Sequence, residues 1–385
     1  MEHQHHREEI YFDNASTTQT DTDIAQRVLE VLTESYGNPS SLHRKGLEAQ
    51  LLVEQAVREV KSAIGALTGK VYFTSGGTEA NNTAIFGAAY AHQRKGKGIV
   101  TTAAEHSSVI DSVKQLQKEG FDCHITDPLP SGSPDIAAIV AACNNETILV
   151  SVMAINNEVG AITDLPRLIR EVRQKSPNAL IHVDAVQALG KVPLKASGLG
   201  IDLMSISGHK IYAPKGIGAL YIADKVRIKP LLYGGAQQDK LRPGTENTAY
   251  ITALGMAAAK ANRSLQQNLQ QVTLLREHLL SCLASLPYVV LNSEENSSPY
   301  ITNISLPGLR SETMLHFLEE YKIYLSSGSA CSKGAGSHVL TAMSLAPDLV
   351  DSALRISFSK HNTIADVDNL IAALAVANMR LIRKK

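Results

Sequence analysis

The sequence predicts an α/β fold: a mostly parallel sheet flanked by helices, followed by a smaller α+β unit. Two observations carry this. From Val71 onward the β-branched runs VYFTS, GIVTTAA, CHIT, TILVSVMAI, LIHVDAV, DLMSIS and GALYIA alternate with TEANNTAIFGAAYAH, SSVIDSVKQLQ and DLPRLIREVRQ, whose apolar residues recur at helical spacing. Such alternation reads as successive βαβ units. The second observation is length: 385 residues are enough for two domains, each with its own core.

After Thr245 a long stretch of helix formers runs to about Leu286 and is expected to join the two domains. The segments YVVLN, TNISLP, ETMLHFLEEY, IYLSS and ALRISFS, with a final helix from about Thr363, make the smaller set. The expected division is a large domain over 15–260 and a small one over 261–385 that takes in 1–14.

Lysine plus arginine balance aspartate plus glutamate at 37 each, so no global field draws in nucleic acid or an anionic membrane. The basic clusters RKGKG and RLIRKK read as a solvated turn and a helix end. The four cysteines, Cys123, Cys143, Cys282 and Cys331, contain no C-x-x-C pair and no metal-ligand spacing. No metal is expected, and a reducing, cytoplasmic setting is. The polar start MEHQHHREEI has no signal-peptide core, and its histidines read as a frayed terminus.

Three features carry chemistry. In SGGTEANN, Gly76 and Gly77 follow a strand and open a helix with Thr78 as a cap, so N–H groups and the helix dipole converge on one point. A phosphate cradle and an ordinary N-cap both fit that stretch. In HVDAVQALG, Asp184 closes an apolar strand, where a carboxylate needs a cation or several donors. In SISGHKIYAPKGIGALYI, Lys210 stands at another strand end behind Ser207 and His209. Pyridoxal phosphate needs all three: a phosphate site, an acid for its ring nitrogen, and an amine for a Schiff base.

The motifs SGGTEANN, AAEHSSV, NNEVG, HVDAVQ, SGHKIYAPKGIGALY, RPGTEN and SSGSACS stand in the order and at the spacing found in cysteine desulfurases of the NifS and IscS type, which the chain resembles from Tyr11 to Ser359. The resemblance implies a fold-type-I, pyridoxal-phosphate-dependent transferase acting on L-cysteine. It implies phosphate contacts from Gly77, Thr78, Ser207 and His209, with Thr245 supplied to the other subunit's site in a homodimer. His106 resembles the ring-stacking, proton-moving histidine. Asn157 and Gln187 resemble residues at the ring hydroxyl and substrate, and Arg355, with Asn38 nearby, the clamp on the substrate carboxylate.

The same resemblance makes Lys210 the anchor and base, and Cys331, in its Gly- and Ser-rich segment, the nucleophile that takes the sulfur as a persulfide. An acceptor in iron–sulfur assembly or tRNA thiolation would follow. Cys123, Cys143 and Cys282 read as structural. The segment SKGAGSHVLTAM is shorter than its counterpart in typical members, and Pro243 stands where many carry another residue. A selenocysteine lyase, another lyase or an aminotransferase would share Lys210 and Asp184 without needing Cys331, and a non-catalytic scaffold is the alternative of another class.

Overall fold

The computed structural model describes residues 9–327 and 336–382. Its strands are β1 (Ile10–Tyr11), β2 (Lys70–Thr74), β3 (Gly98–Thr102), β4 (Asp122–Thr126), β5 (Thr147–Met153), β6 (Leu180–Asp184), β7 (Leu203–Ser207), β8 (Gly218–Ile222), β9 (Val290–Leu291), β10 (Ile301–Ser305), β11 (Ile323–Tyr324) and β12 (Ala353–Ser357). Seven of them form one sheet in the order β2-β8-β7-β6-β5-β3-β4. From β4 to β7 every pairing is parallel, and β8 alone runs against both of its neighbours. The mostly parallel sheet expected from the alternation is therefore present. Its interior strands β5, β6 and β7 are buried along their whole length, which is why they read as unbroken apolar runs.

The chain steps outward from β3 to β4, then returns to the other side of β3 and continues through β5, β6 and β7. The order of strands thus reverses between β3 and β5. Connections leave the carboxyl ends on opposite sides there, opening a crevice of the kind in which parallel sheets bind ligands.

Packing then brings the remaining helices into place. The helix Gly77–His92 lays Ala80, Ala84 and Ala88, all fully buried, against the sheet. Helix Arg44–Ala63 meets helix Thr248–Arg263 at Gly255, where a Cβ would stand 2.6 Å from Ala56 Cα. The long helical stretch expected after Thr245 is two helices, Thr248–Arg263 and Leu265–Leu283, with Ser264 outside helical geometry between them. In the smaller unit β10 lies between β12 and β9, while β11 pairs with β1 of the N-terminal segment. The last helix, Ile364–Arg380, starts at a capping box of Thr363 and Asp366. One buried apolar cluster runs from Ile10 to Ala377, so the two portions share core surface. Among the described residues no helix is long and apolar enough to cross a membrane.

His182, in the middle of β6, is fully buried between Ser151 Oγ at 2.8 Å and Ser205 Oγ at 2.9 Å. Burial pushes its pKa down to about 4. The unfolded chain takes up this proton near pH 6.5 and the folded chain only near 4, so stability is lost as pH falls through that window, by about 3 kcal/mol. Urea denaturation of wild type and His182→Gln checks this: the wild type should lose that much more between pH 6.5 and 4, and parallel pH curves would contradict it.

Candidate functional site

The carboxyl ends of β2, β3, β5, β6 and β7 open on one cavity of about 630 Å³. The turn after β2 reaches it because Gly218 on β8 lacks a side chain: a Cβ there would lie 2.7 Å from the Gly76 carbonyl carbon. The same holds for Gly77, whose Cβ would meet Val186 at 2.9 Å. Thr78 does not cap the helix as the sequence led us to expect. The helix begins at Gly77, its cap position is Gly76, which has no side chain to cap it, and Glu79 turns back to accept the Ser75 N–H at 2.8 Å. The first turn therefore presents backbone N–H groups and the positive end of the helix dipole to the cavity.

Opposite that turn lies the loop after β7. Ser207 ends the strand with its Oγ buried and without a hydrogen-bond partner. The short turn Gly208–Lys210 then brings His209 and Lys210 to the cavity. Lys210 Nζ donates to the carbonyls of Ala15 at 2.6 Å and Ser16 at 2.7 Å. His209 Nδ1 stands 3.3 Å from Thr17 Oγ1, and burial with the charges of Lys210, Lys215 and Lys191 pushes its pKa down to about 4.

Asp184, 5% exposed, accepts from Asn81 Nδ2 at 2.7 Å and from the Val186 N–H at 2.9 Å. Next to it His106 caps the helix Ser107–Lys118: its Nδ1 accepts from the Ser108 N–H at 3.2 Å and lies 2.8 Å from Ser108 Oγ. In the neutral ring the proton is consequently on Nε2. Burial holds the His106 pKa below its usual value against the opposing pull of Asp184. Behind His106, Glu105 is fully buried; Met153 N–H donates to its Oε1 at 2.7 Å and its Oε2 has no partner. Burial, reinforced by the Asp184 charge, raises the Glu105 pKa well above the carboxylate range. That environment favours the protonated form of Glu105.

Arg355 on β12, 4% exposed, closes the far wall. It donates to the Asn157 carbonyl and to Asp13 Oδ1, each at 2.8 Å, and to Ser16 Oγ at 2.5 Å, while its Nε has no partner. Asn157 lines the cavity with a buried, unpartnered Oδ1. Gln187 donates through Nε2 to Ala15 O at 2.8 Å and accepts through Oε1 from Lys191 Nζ at 2.6 Å. Burial, with the charges of Lys210 and Arg355, pushes Lys191 down to about 7.

Of the residues singled out in the sequence, Gly77, Thr78, His106, Asn157, Asp184, Gln187, Ser207, His209, Lys210 and Arg355 line this one cavity. Asn38 and Thr245 do not: both are exposed on loops, and Asn38 Oδ1 accepts from the Ser40 N–H at 2.9 Å. Cys331 lies outside the described residues. Sequence reasoning missed Asn81, Glu105, Glu158, Lys191 and His338. Glu158 accepts from Ser337 Oγ, and His338 Nε2 stands 2.8 Å from the Glu105 carbonyl, so the chain re-enters at the cavity wall just after the Cys331 segment. Glu105 and Glu158 stand inside the motifs AAEHSSV and NNEVG, and Lys191 directly follows HVDAVQALG, but nothing local marks any of them as buried.

The residues fit pyridoxal phosphate on two observations: Ser207 Oγ and Asn157 Oδ1 are buried without partners, and the Gly77 turn is a cradle that a Cβ would fill. Asp184 would face the ring nitrogen and Lys210 would hold the aldehyde carbon. If Glu105 is a neutral acid, Glu105→Gln should leave stability and cofactor absorbance unchanged. Glu105→Ala strips the Met153 N–H of its acceptor and should cost about 1–3 kcal/mol in thermal or urea unfolding. A Gln variant as unstable as the Ala variant would contradict the assignment.

Comparison with known proteins agrees with the geometry. The family model described as aminotransferase class-V matches residues 10–370. The chain is 41% identical to cysteine desulfurase 2 of Trichormus variabilis over 94% of this chain and 91% of that protein. It is 37% identical to the cysteine desulfurase IscS of Methanosarcina thermophila over 94% and 90%. A solved NifS-like protein superposes with a TM-score of 0.92 at 34% identity, covering 97% of this chain and all of the other. The chain belongs to the aminotransferase class-V family, in its cysteine desulfurase branch, and its cofactor is pyridoxal phosphate.

Proposed function

We propose that this cysteine desulfurase converts L-cysteine to L-alanine and receives the sulfur on Cys331 as a persulfide. The observation that carries the reading is the meeting of Lys210, Asp184 and Arg355 around one cavity whose wall holds the unpartnered Ser207 Oγ and Asn157 Oδ1. Bound there, the cofactor supplies the electron sink. Lys210 removes and returns the proton at the substrate Cα, and His106, with its Nε2–H turned away from Ser108, moves a second proton. Arg355 and Asn157 orient the substrate, the carboxylate meeting the buried guanidinium whose Nε lacks a partner. Asp184, fixed by Asn81 and Val186, would meet the ring nitrogen, Gly77, Thr78, Ser207 and His209 would hold the phosphate, and Gln187 would serve the ring hydroxyl side.

The sulfur step balances without an outside oxidant. The Cys331 thiolate attacks the substrate sulfur, an S–S bond forms, the C–S bond breaks toward carbon, and protonation of that carbon yields alanine. Cys123 and Cys143 are unsuited to this role, since burial raises each thiol to about 11. We place the enzyme in a reducing cytoplasm, with its persulfide passing to an acceptor for iron–sulfur assembly or tRNA thiolation. We also divide it into a large domain over 15–260 and a small one over 261–385 with 1–14.

A homodimer belongs to the same reading, with Thr245 and Asn38 serving the partner's side of the site. Large apolar side chains lie exposed beside both: Leu29, Leu32, Tyr36, Leu42, Leu47 and Leu51 around Asn38, and Tyr233, 84% exposed, before Thr245. Such surface marks an interface.

Three experiments check the proposal. In single turnover with L-cysteine, alanine should appear together with a persulfide mapped to Cys331 by mass spectrometry, and Cys331→Ser should give background alanine only; unchanged alanine in that variant contradicts the mechanism. Arg355→Lys should raise KM for cysteine roughly 10- to 100-fold, the worth of a charge-assisted pair. In sedimentation, the wild type should be a dimer and Tyr36→Lys/Leu42→Lys a monomer.

A further inference from the structure

Far along the chain from the cofactor residues, the helix Leu265–Leu283 presents His278 and Cys282 one turn apart, and the C-terminal helix Ile364–Arg380 sets Asp368 against them. None of the three lines the cofactor cavity. His278 Nε2 lies 2.6 Å from Asp368 Oδ1 and 3.7 Å from Cys282 Sγ, and one donor atom from each residue falls within 4.8 Å of the others. Cys282 lies in a helical apolar stripe of the sequence and reads there as packing. The i, i+4 spacing to His278 was overlooked.

The way the three side chains meet is informative. In a relay that activates a thiol, the acid bonds one ring nitrogen and the thiol faces the other. Here Asp368 and Cys282 both face the same atom, His278 Nε2, so the donors converge on a point. We propose that His278, Cys282 and Asp368 form a binding site for a divalent transition metal of the zinc class, with a fourth position open to water.

The chemistry of the set supports that class. Imidazole nitrogen, thiolate sulfur and carboxylate oxygen are the ligands zinc takes in tetrahedral sites, whereas a thiolate disfavours magnesium and calcium. Ligands at about 2.0–2.3 Å from a tetrahedral ion stand roughly 3–4 Å apart. The separation of 3.7 Å between Sγ and Nε2 already meets this. The His278–Asp368 contact must open by less than about 1 Å, which an Asp368 side chain 59% exposed can do by rotation. An ion enters from solvent on that side, and the Cys282 thiol proton leaves as it binds. Without metal the His278–Asp368 contact is a solvent-exposed one that contributes little and has no use for the cysteine. With metal, two helices of the small unit are clamped together.

The test is titration of the full-length, cofactor-loaded enzyme with Co²⁺, read by thiolate-to-metal charge-transfer and tetrahedral d–d bands. About one equivalent should give both bands, and Zn²⁺ should bleach them and raise Tm. Cys282→Ser should abolish the charge-transfer band and the Tm shift, while His278→Gln should weaken Co²⁺ binding more than about 10-fold; both variants should keep desulfurase activity. Controls with His3, His5 and His6 changed to alanine, and with Cys331→Ser, should retain the bands. Absence of bands in the wild type, their persistence in Cys282→Ser, or their loss in Cys331→Ser would each overturn the site.

Discussion

The site depends on a clasp made by residues 13–18. Asp13 and Ser16 bind the guanidinium of Arg355 on β12, and the Ala15 N–H and Asn14 side chain bind Ser357 on the same strand. On its other side the same stretch gives the carbonyls of Ala15 and Ser16 to Lys210 and that of Ala15 to Gln187, while the Thr18 N–H takes the His209 carbonyl. A few residues of irregular backbone therefore fix Arg355 relative to Lys210 across the cavity. Irregular chain in the interior would ordinarily leave polar groups unsatisfied. Here the satisfied groups are the functional side chains.

Charge is distributed around that clasp with little waste. Arg355 has Asp13, and Lys191, at about 7, lies behind Gln187 over the Tyr300 ring. Two carboxyls share the wall beside His106. Burial, reinforced by the Asp184 charge, raises the Glu105 pKa and so disfavours two like charges desolvated together. The topological reversal between β3 and β5 puts these groups at the mouth of the sheet, and the glycines at 77 and 218 keep the mouth open to a phosphate.

Much of this was legible in the sequence. Asp184, Ser207 and Lys210 announce themselves because each is a polar residue at the end of a run too apolar to face water. The expected sheet follows from the same runs, with β8 reversed because residues 208–217 between it and β7 are too few for a crossover to a parallel strand. Other features were illegible for physical reasons. The acids Glu105 and Glu158 adjoin recognised residues, but nothing local says that a glutamate is buried and neutral. The clasp joins positions more than 300 residues apart, and its backbone carbonyls carry no sequence signature. Thr78 was misread as a cap because a Thr before a helix caps it only when the helix begins one residue later. Asn38 and Thr245 lie on exposed loops away from the cavity, and a role for them belongs to the homodimer we propose.

The most direct test of the account is a crystal structure of the enzyme with pyridoxal phosphate bound. The account predicts Lys210 Nζ released from the Ala15 and Ser16 carbonyls and bonded to the cofactor, with Ser207 Oγ on the phosphate and the Asp184 carboxylate against the ring nitrogen. A cofactor bound away from the Gly77 turn, or one in place with Lys210 still held by those two carbonyls, would contradict it.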